Sequence, residues 1–238
     1  MSLENERQYR KLIYLSSNKI REDIKAQKNL WKPRPFTCRP ADNIHWEFPF
    51  MATTYYDLVY SQGACPTQRQ FWGEYMQAHD GKFQCLSEDV RVAMRGRVCR
   101  AYNSFVLEHH LLAIAVESRQ FDVCFKSEYY DVFGKVDLIV KRSGNAYGVE
   151  SYISTSNSLN WLATKRNRPK ANLDIPIVSL PLEIHDGEKI AGINLYPLWY
   201  IDRLVAIIEA HDTAKKQLTQ AQIGEVTYVD SNQQLSFI

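Results

Sequence analysis

Residues 121–153, FDVCFKSEYYDVFGKVDLIVKRSGNAYGVESYI, decide how the rest of the chain is read. Segments 122–126, 132–141 and 146–153 are rich in Val, Ile, Phe and Tyr, and the turn-forming run Ser143-Gly144-Asn145 separates the last two. The pattern predicts short strands, the second and third joined as a hairpin. Side chains alternate along a strand, so Lys135 and Asp137 share a face of one strand, and Glu150 and Tyr152 share a face of its partner. Asp137 is followed by Leu138-Ile139-Val140 and Glu150 is preceded by Gly148-Val149, which sets both carboxylates inside segments destined for burial. An unpaired buried charge is costly, so each needs a reason to be there.

The run Gly134-Lys135-Val136-Asp137-Leu138-Ile139-Val140 followed by Gly148-Val149-Glu150-Ser151-Tyr152 resembles the motif of the PD-(D/E)XK nuclease superfamily. That motif is an Asp on the second strand and Glu-x-Lys on the third, in a core ordered helix, three antiparallel strands, helix, strand. The resemblance covers roughly residues 91–180, with Tyr152 standing where the motif has Lys. It implies a metal-dependent nuclease hydrolysing DNA, of a restriction, phage or mobile-element system. In that reading Asp137 and Glu150 hold Mg²⁺ or Mn²⁺, with the Ser151 carbonyl and Glu108 as further ligands. Tyr152 can hydrogen-bond but carries no positive charge. Some members of the superfamily carry the Lys on the following helix, which makes Lys165 the first substitute; Lys135, on the face of Asp137, is the second. The alternative is a catalytically inactive nuclease-like fold that serves as a nucleic-acid-binding or assembly protein. A third reading is an interaction module whose aromatic segment, 46–75, meets a partner subunit.

Across 238 residues, 45% hydrophobic and 24% charged, the composition is that of a folded chain and excludes a disordered or collagen-like one. No apolar run approaches the roughly 18 residues needed to span a bilayer, and the N-terminus MSLENERQYRKL lacks the apolar stretch of a secretory signal. The expectation is a soluble cytoplasmic protein without membrane partners. Five cysteines, Cys38, Cys65, Cys85, Cys99 and Cys124, are odd in number and form no C-x-x-C pair, which argues against a disulfide framework or a zinc site. A net charge of +2 leaves any nucleic-acid binding to local basic clusters. Arg91, Arg95, Arg97 and Arg100 form one such cluster, and Lys165, Arg166, Arg168 and Lys170 form a second. No phosphate-loop, dinucleotide or serine-hydrolase motif is present in the sequence.

Taken in order, residues 5–29 carry a broken helical period, and Pro33, Pro35 and Pro40 mark an extended connection. The aromatics of 41–80 read as core or as a stacking platform for single strands, and Pro66-Thr67 precedes a helix ending near Ala78. Ser87, Glu88 and Asp89 open a helix over 87–118, on which Ala101, Phe105, Glu108, Leu112 and Ala115 form an inward stripe. His109 and His110, beside Glu108, are core histidines or metal ligands. A helix over 159–167, an edge strand over 175–180, a strand over 188–195, a helix over 198–211 and a terminal hairpin of 226–229 with 235–238 complete the expectation. The predicted fold is α/β: a restriction-endonuclease-like core with a mixed four- or five-stranded sheet over 87–238, carrying a helical, aromatic-rich elaboration over 1–86. Oligomeric expectations are a protein partner or a homodimer.

Overall fold

The computed structural model describes residues 15–27, 51–127, 130–131, 136–155 and 174–230, with side chains of the last helix described to residue 217. It is a mixed α/β protein. Helices α1 (Ser17–Ala26), α2 (Met51–Gln62), α3 (Gln68–Ala78) and α4 (Asp80–Gln84) precede the long α5 (Glu88–Ser118). Strands β1 (Val123–Phe125), β2 (Leu138–Arg142), β3 (Asn145–Ile153) and β4 (Ile177–Leu182) follow, then the hairpin β5 (Glu188–Ile190) and β6 (Ile193–Leu195), and α6 (Trp199–Asp230).

Local chemistry sets the helix ends. Thr67 caps α3 through a hydroxyl that accepts the Gln70 N–H at 3.1 Å, while Gln70 Oε1 accepts the Thr67 N–H at 2.7 Å, a reciprocal capping box. Ser87 stands at the N-cap of α5 in extended conformation with Glu88 and Asp89 in the first turn, and Arg119, left-handed at φ 57°, ends the helix.

The four-stranded sheet has the order β1-β2-β3-β4. β1, β2 and β3 pair antiparallel, and β4 lies parallel to β3, so the chain between them crosses over; residues 156–173 lie outside the described ones. Pro181 lies within β4, an edge strand of this sheet, where a missing ladder donor is tolerated. Val178, Leu180 and Leu182 of β4 join Leu138, Val140, Tyr147 and Val149 in a core against Leu111, Leu112, Ile114 and Ala115 of α5 and Tyr200, Ile201, Leu204 and Ile208 of α6. A second core holds Ile20, Ile24, Tyr55, Phe71, Tyr75, Phe83, Met94, Val98 and Tyr102, joined by Ile190, Ile193 and Leu195 of the small hairpin. The aromatics of 51–80 are mostly packing residues: the Tyr55 ring meets those of Phe71 and Tyr102 edge-on, each at 6.1 Å between centroids.

Three expectations need correction. Of the predicted strand 132–141, the described part pairs from Leu138 on, since the Val136 N–H donates to Tyr130 O at 3.0 Å; 132–135 lie outside the described residues. The strand expected over 188–195 is a hairpin, since Ala191 (φ 47°) and Gly192 (φ 90°) both take the left-handed conformation that closes a two-residue turn. The expected terminal hairpin is absent at 226–229, which continue α6 to Asp230; the stretch 213–222 is rich in Ala, Lys, Gln and Leu, contains no Pro and propagates the helix. The mixed sheet has four strands, within the four or five expected, and the fifth and sixth form their own ribbon.

Gly148 shows how tightly the sheet's other face is closed. A Cβ there would meet Val136 Cγ2 at 2.8 Å and Cγ1 at 3.2 Å, whereas one at Gly73, exposed in α3, meets nothing within 4 Å. Gly148→Ala is expected to lower stability by about 1–3 kcal/mol through overpacking, and Gly73→Ala to raise it by about 0.5–1 kcal/mol through helix propensity. Urea unfolding of the two variants checks both signs.

Candidate functional site

The polar groups of interest gather at the end of the sheet where β1 finishes and β2 begins. The β1–β2 register pairs Phe125 with Ile139, so the next residues outward, Lys126 and Ser127, come level with Leu138 and Asp137. Continuing the β2–β3 register one step beyond Leu138 and Val149 brings Asp137 level with Glu150. At this point the ladder ends. The Asp137 N–H donates to Val149 O at 2.8 Å, and the Ser151 N–H is taken up by Asp137 Oδ2 at 2.7 Å. The Ser151 hydroxyl donates to the same oxygen at 2.9 Å. Asp137 therefore finishes the strand pairing with its side chain, a structural reason for an acid at the head of an apolar strand.

Glu150 is 1% exposed, in the middle of the sheet between β2 and β4, where it pairs with Ser179. Tyr147 and Val149 enter the core against α5 and α6, while Gly148 backs onto Val136 and Ile175. Alternation then sends Glu150 and Tyr152 to the face away from α5. Glu108 lies on the α5 side. Its Oε2 accepts a hydrogen bond from Lys126 Nζ in an ion pair whose side chains are only 15% and 7% exposed. The Lys126 ammonium also lies 5.2 Å from the centroid of the Tyr56 ring, on α2. Burial pushes Glu108 up to about 8 against the pull of Lys126, and the Asp137 and Asp131 carboxylates add to the rise. Lys126 is itself held charged against burial by Glu108, Tyr56, Asp131 and Asp137.

Of the residues picked out from sequence, the structure thus brings Asp137, Ser151 and Glu150 to adjoining positions on neighbouring strands, with Glu108 across the sheet from Glu150. Lys135, Lys165, Arg166, Arg168 and Lys170 lie outside the described residues. Arg91 pairs with Glu88 at 3.0 Å and Arg95 lies over the Trp72 ring at 5.7 Å. At about 100° per residue, Arg97 and Arg100 fall on the opposite half of α5 from these two, and Arg100 stands about 12 Å along the axis from Glu108. Among the described residues no three His, Cys, Asp or Glu side chains form a group that could hold a metal ion.

Lys126 is the residue that sequence reading missed. Its signal was positional: it is the last residue of the predicted first strand, which an antiparallel pairing returns to the start of the second.

The neighbouring histidines are core residues. His109 Nδ1 lies 3.3 Å from the Tyr55 hydroxyl and 4.0 Å from Cys65 Sγ. Burial pushes the Cys65 thiol up to about 12, which favours its protonated form. His110 is buried, and neither ring nitrogen has a hydrogen-bond partner among the described residues. Comparison with family models, curated proteins and solved structures finds no match to this chain.

Burial lowers His109 to about 3, helped by Lys126 and His110, and lowers His110 to about 4, helped by Arg21 and opposed by Glu117. Both stay neutral in the fold while the unfolded chain takes up protons below about 6.5. Their contribution to stability is present above that pH and lost progressively as pH falls toward 4 and 3. Thermal unfolding from pH 7 to 4.5 should show a falling Tm, and His110→Leu should match or exceed the native protein at pH 7 and fall less steeply.

Proposed function

We propose that this chain is a metal-dependent nuclease that hydrolyses phosphodiester bonds in DNA. The observation that carries the reading is the arrangement of α5, the antiparallel β1-β2-β3 and the crossover to a parallel β4, with Asp137 at the head of β2 level with Glu150 in β3. The motif resemblance orders its elements in this way and puts its acids at these positions.

Hydrolysis adds water across a P–O bond. The water oxygen bonds to phosphorus, the bond to one sugar oxygen breaks, and that oxygen leaves with a proton. The protein must orient the water and offset negative charge that grows on the phosphoryl oxygens. Asp137 and Glu150, with the Ser151 carbonyl beside them, are the residues that would hold Mg²⁺ or Mn²⁺; a bound ion supplies charge stabilisation and a more acidic water. The donors fit such an ion, being hard oxygens, and Mg²⁺ is commonly held through only one or two carboxylates plus waters and substrate oxygens. The Ser151 N–H and hydroxyl fix the Asp137 carboxylate in place. Tyr152 follows Glu150 on the same strand face.

A second reading, a nuclease-like scaffold that binds nucleic acid or assembles with a partner without cutting, is favoured by a specific feature. Glu108 is offset by Lys126 and Asp137 is engaged by Ser151, so these two carboxylates are accommodated within the chain itself.

Plasmid and single-stranded DNA incubated over a series of Mg²⁺ and Mn²⁺ concentrations separate the two. The expected result is cleavage that a chelator abolishes and that Asp137→Asn and Glu150→Gln each reduce by at least about a hundredfold, as loss of charge stabilisation predicts. Binding that weakens steeply with salt, without cleavage of either substrate under any condition, selects the second reading.

A further inference from the structure

Ten residues are too few for a helix to hold itself together in water, so α1 exists only while it stays docked. It lies antiparallel along α5. At one end the Ser17 N–H and hydroxyl donate to the Glu117 carboxylate at 2.7 and 2.5 Å, and past the other end Gln27 Nε2 donates to the Tyr102 hydroxyl at 2.7 Å. Asp23 Oδ2 accepts the Cys65 N–H at 3.0 Å. Arg21 pairs with Glu188 of β5, which sets the small hairpin along one flank. The apolar ties are the fully buried Ile20 and Ile24, with Leu15 before the helix.

His110 lies beneath this contact. At about 100° per residue, Tyr102, Val106, Ala113 and Glu117 fall within an arc of about 60° on α5, and His110 stands about 20° beyond Glu117. Val106 and Ala113 share their core with Ile20 and Ile24, and the charges that act on the His110 ring are those of Arg21 and Glu117. The ring is 1% exposed, and neither nitrogen has a hydrogen-bond partner among the described residues. A buried polar group without a partner costs the closed state a hydration that the open state recovers. The bonds broken at Ser17 and Arg21 are exposed ones that water replaces. Closure is held by the isoleucines and resisted by the imidazole.

We propose that α1 is a releasable strap on α5 and that the uncompensated ring of His110 sets how readily it lifts. The open state uncovers the face of α5 from Tyr102 to Glu117. It leaves the sheet closed, because the core that the second half of α5 shares with β2, β3, β4 and α6 contains no residue of α1. The strap does not depend on the nuclease reading, and it needs no change of charge on the ring.

The test is amide hydrogen exchange of the full chain at neutral pH, followed residue by residue. In the native protein the amides of residues 21–26 are expected to be at least about a hundredfold less protected than those of Tyr147 and Val149 in β3, and to depend less on added urea. His110→Leu slows exchange in α1 by at least about tenfold, as removal of an uncompensated buried polar group predicts. Gly73→Ala, in a helix that stays formed when the strap lifts, slows β3 by about two- to fivefold and leaves α1 unchanged. Equal protection and equal urea dependence of α1 and β3 would mean that α1 leaves only on global unfolding, and unchanged α1 exchange in His110→Leu would mean that the ring does not set the opening; either result overturns the proposal. Should His110→Leu not fold, modification of the native protein by diethyl pyrocarbonate decides. Reaction of His110 well ahead of the equally buried His109 supports the strap, and reaction of both only on global unfolding rejects it.

Discussion

One helix has to wall two cores. At 31 residues α5 runs about 46 Å, and its first half packs among the aromatics of the helical layer while its second half covers the sheet. The apolar stripe must change partners part-way, and around that handover Val106 and Ala113 still belong to the first core while Leu111 and Leu112 already belong to the second. Residues 108–110 fall in the overlap, where every face of the helix is covered. Glu108, His109 and His110 are consequently enclosed, and each imposes a condition on its surroundings. Glu108 requires a cation and obtains Lys126. His109 turns to the Tyr55 hydroxyl. His110 is buried as a neutral ring, with neither nitrogen hydrogen-bonded among the described residues. The central polar cluster follows from the length of the helix as much as from the sheet.

The parts of this architecture legible in the sequence are those fixed by neighbours along the chain. Thr67 and Ser87 mark the starts of α3 and α5, Ser143-Gly144 turns β2 into β3, and the prolines around β4 mark it as an edge strand. Less legible was what depends on tertiary context. Nothing local shows that the Val136 N–H bonds back to Tyr130 O, since Val favours strands wherever it occurs. Ala191 in the left-handed region breaks the expected single strand at a residue that rarely signals a turn. Val226, Tyr228 and Val229 have strand propensity, and the growing helix α6 overrides it.

The candidate site divides in the same manner. Asp137 and Glu150 were found because alternation and apolar flanks are properties of single strands, and the hairpin between them is short. Lys126 was not, because its approach to Glu108 and Asp137 needs the β1–β2 register and the rotation of α5 at once. The expectation that Glu108 would stand with Asp137 and Glu150 as one ligand set assumed that side chains at one end of the sheet share a face. The sheet separates them: Glu108 is with the α5 core, and Glu150 follows Gly148 to the face closed by Val136 and Ile175. Asp137, at the last rung, belongs fully to neither side.

That position gives the buried pair its interest. An enclosed salt bridge is a poor device for stability: desolvating both charges consumes most of the attraction, and apolar replacements of equal volume are often neutral or better by about 1–4 kcal/mol. Removing one partner alone costs about 3–5 kcal/mol, so once present the pair is held in place. If the Lys126 ammonium only compensated Glu108, one carboxylate would suffice, and further acids nearby would only raise the cost of ionising them, as the upward displacement of Glu108 toward 8 already shows. Yet Asp131 and Asp137 also act on the same ammonium, and a buried phenol hydroxyl sits beside it. Lys126 is thus shared among carboxylates from α5, from the turn that follows β1 and from the head of β2, which ties the helix to the sheet where the two cores meet.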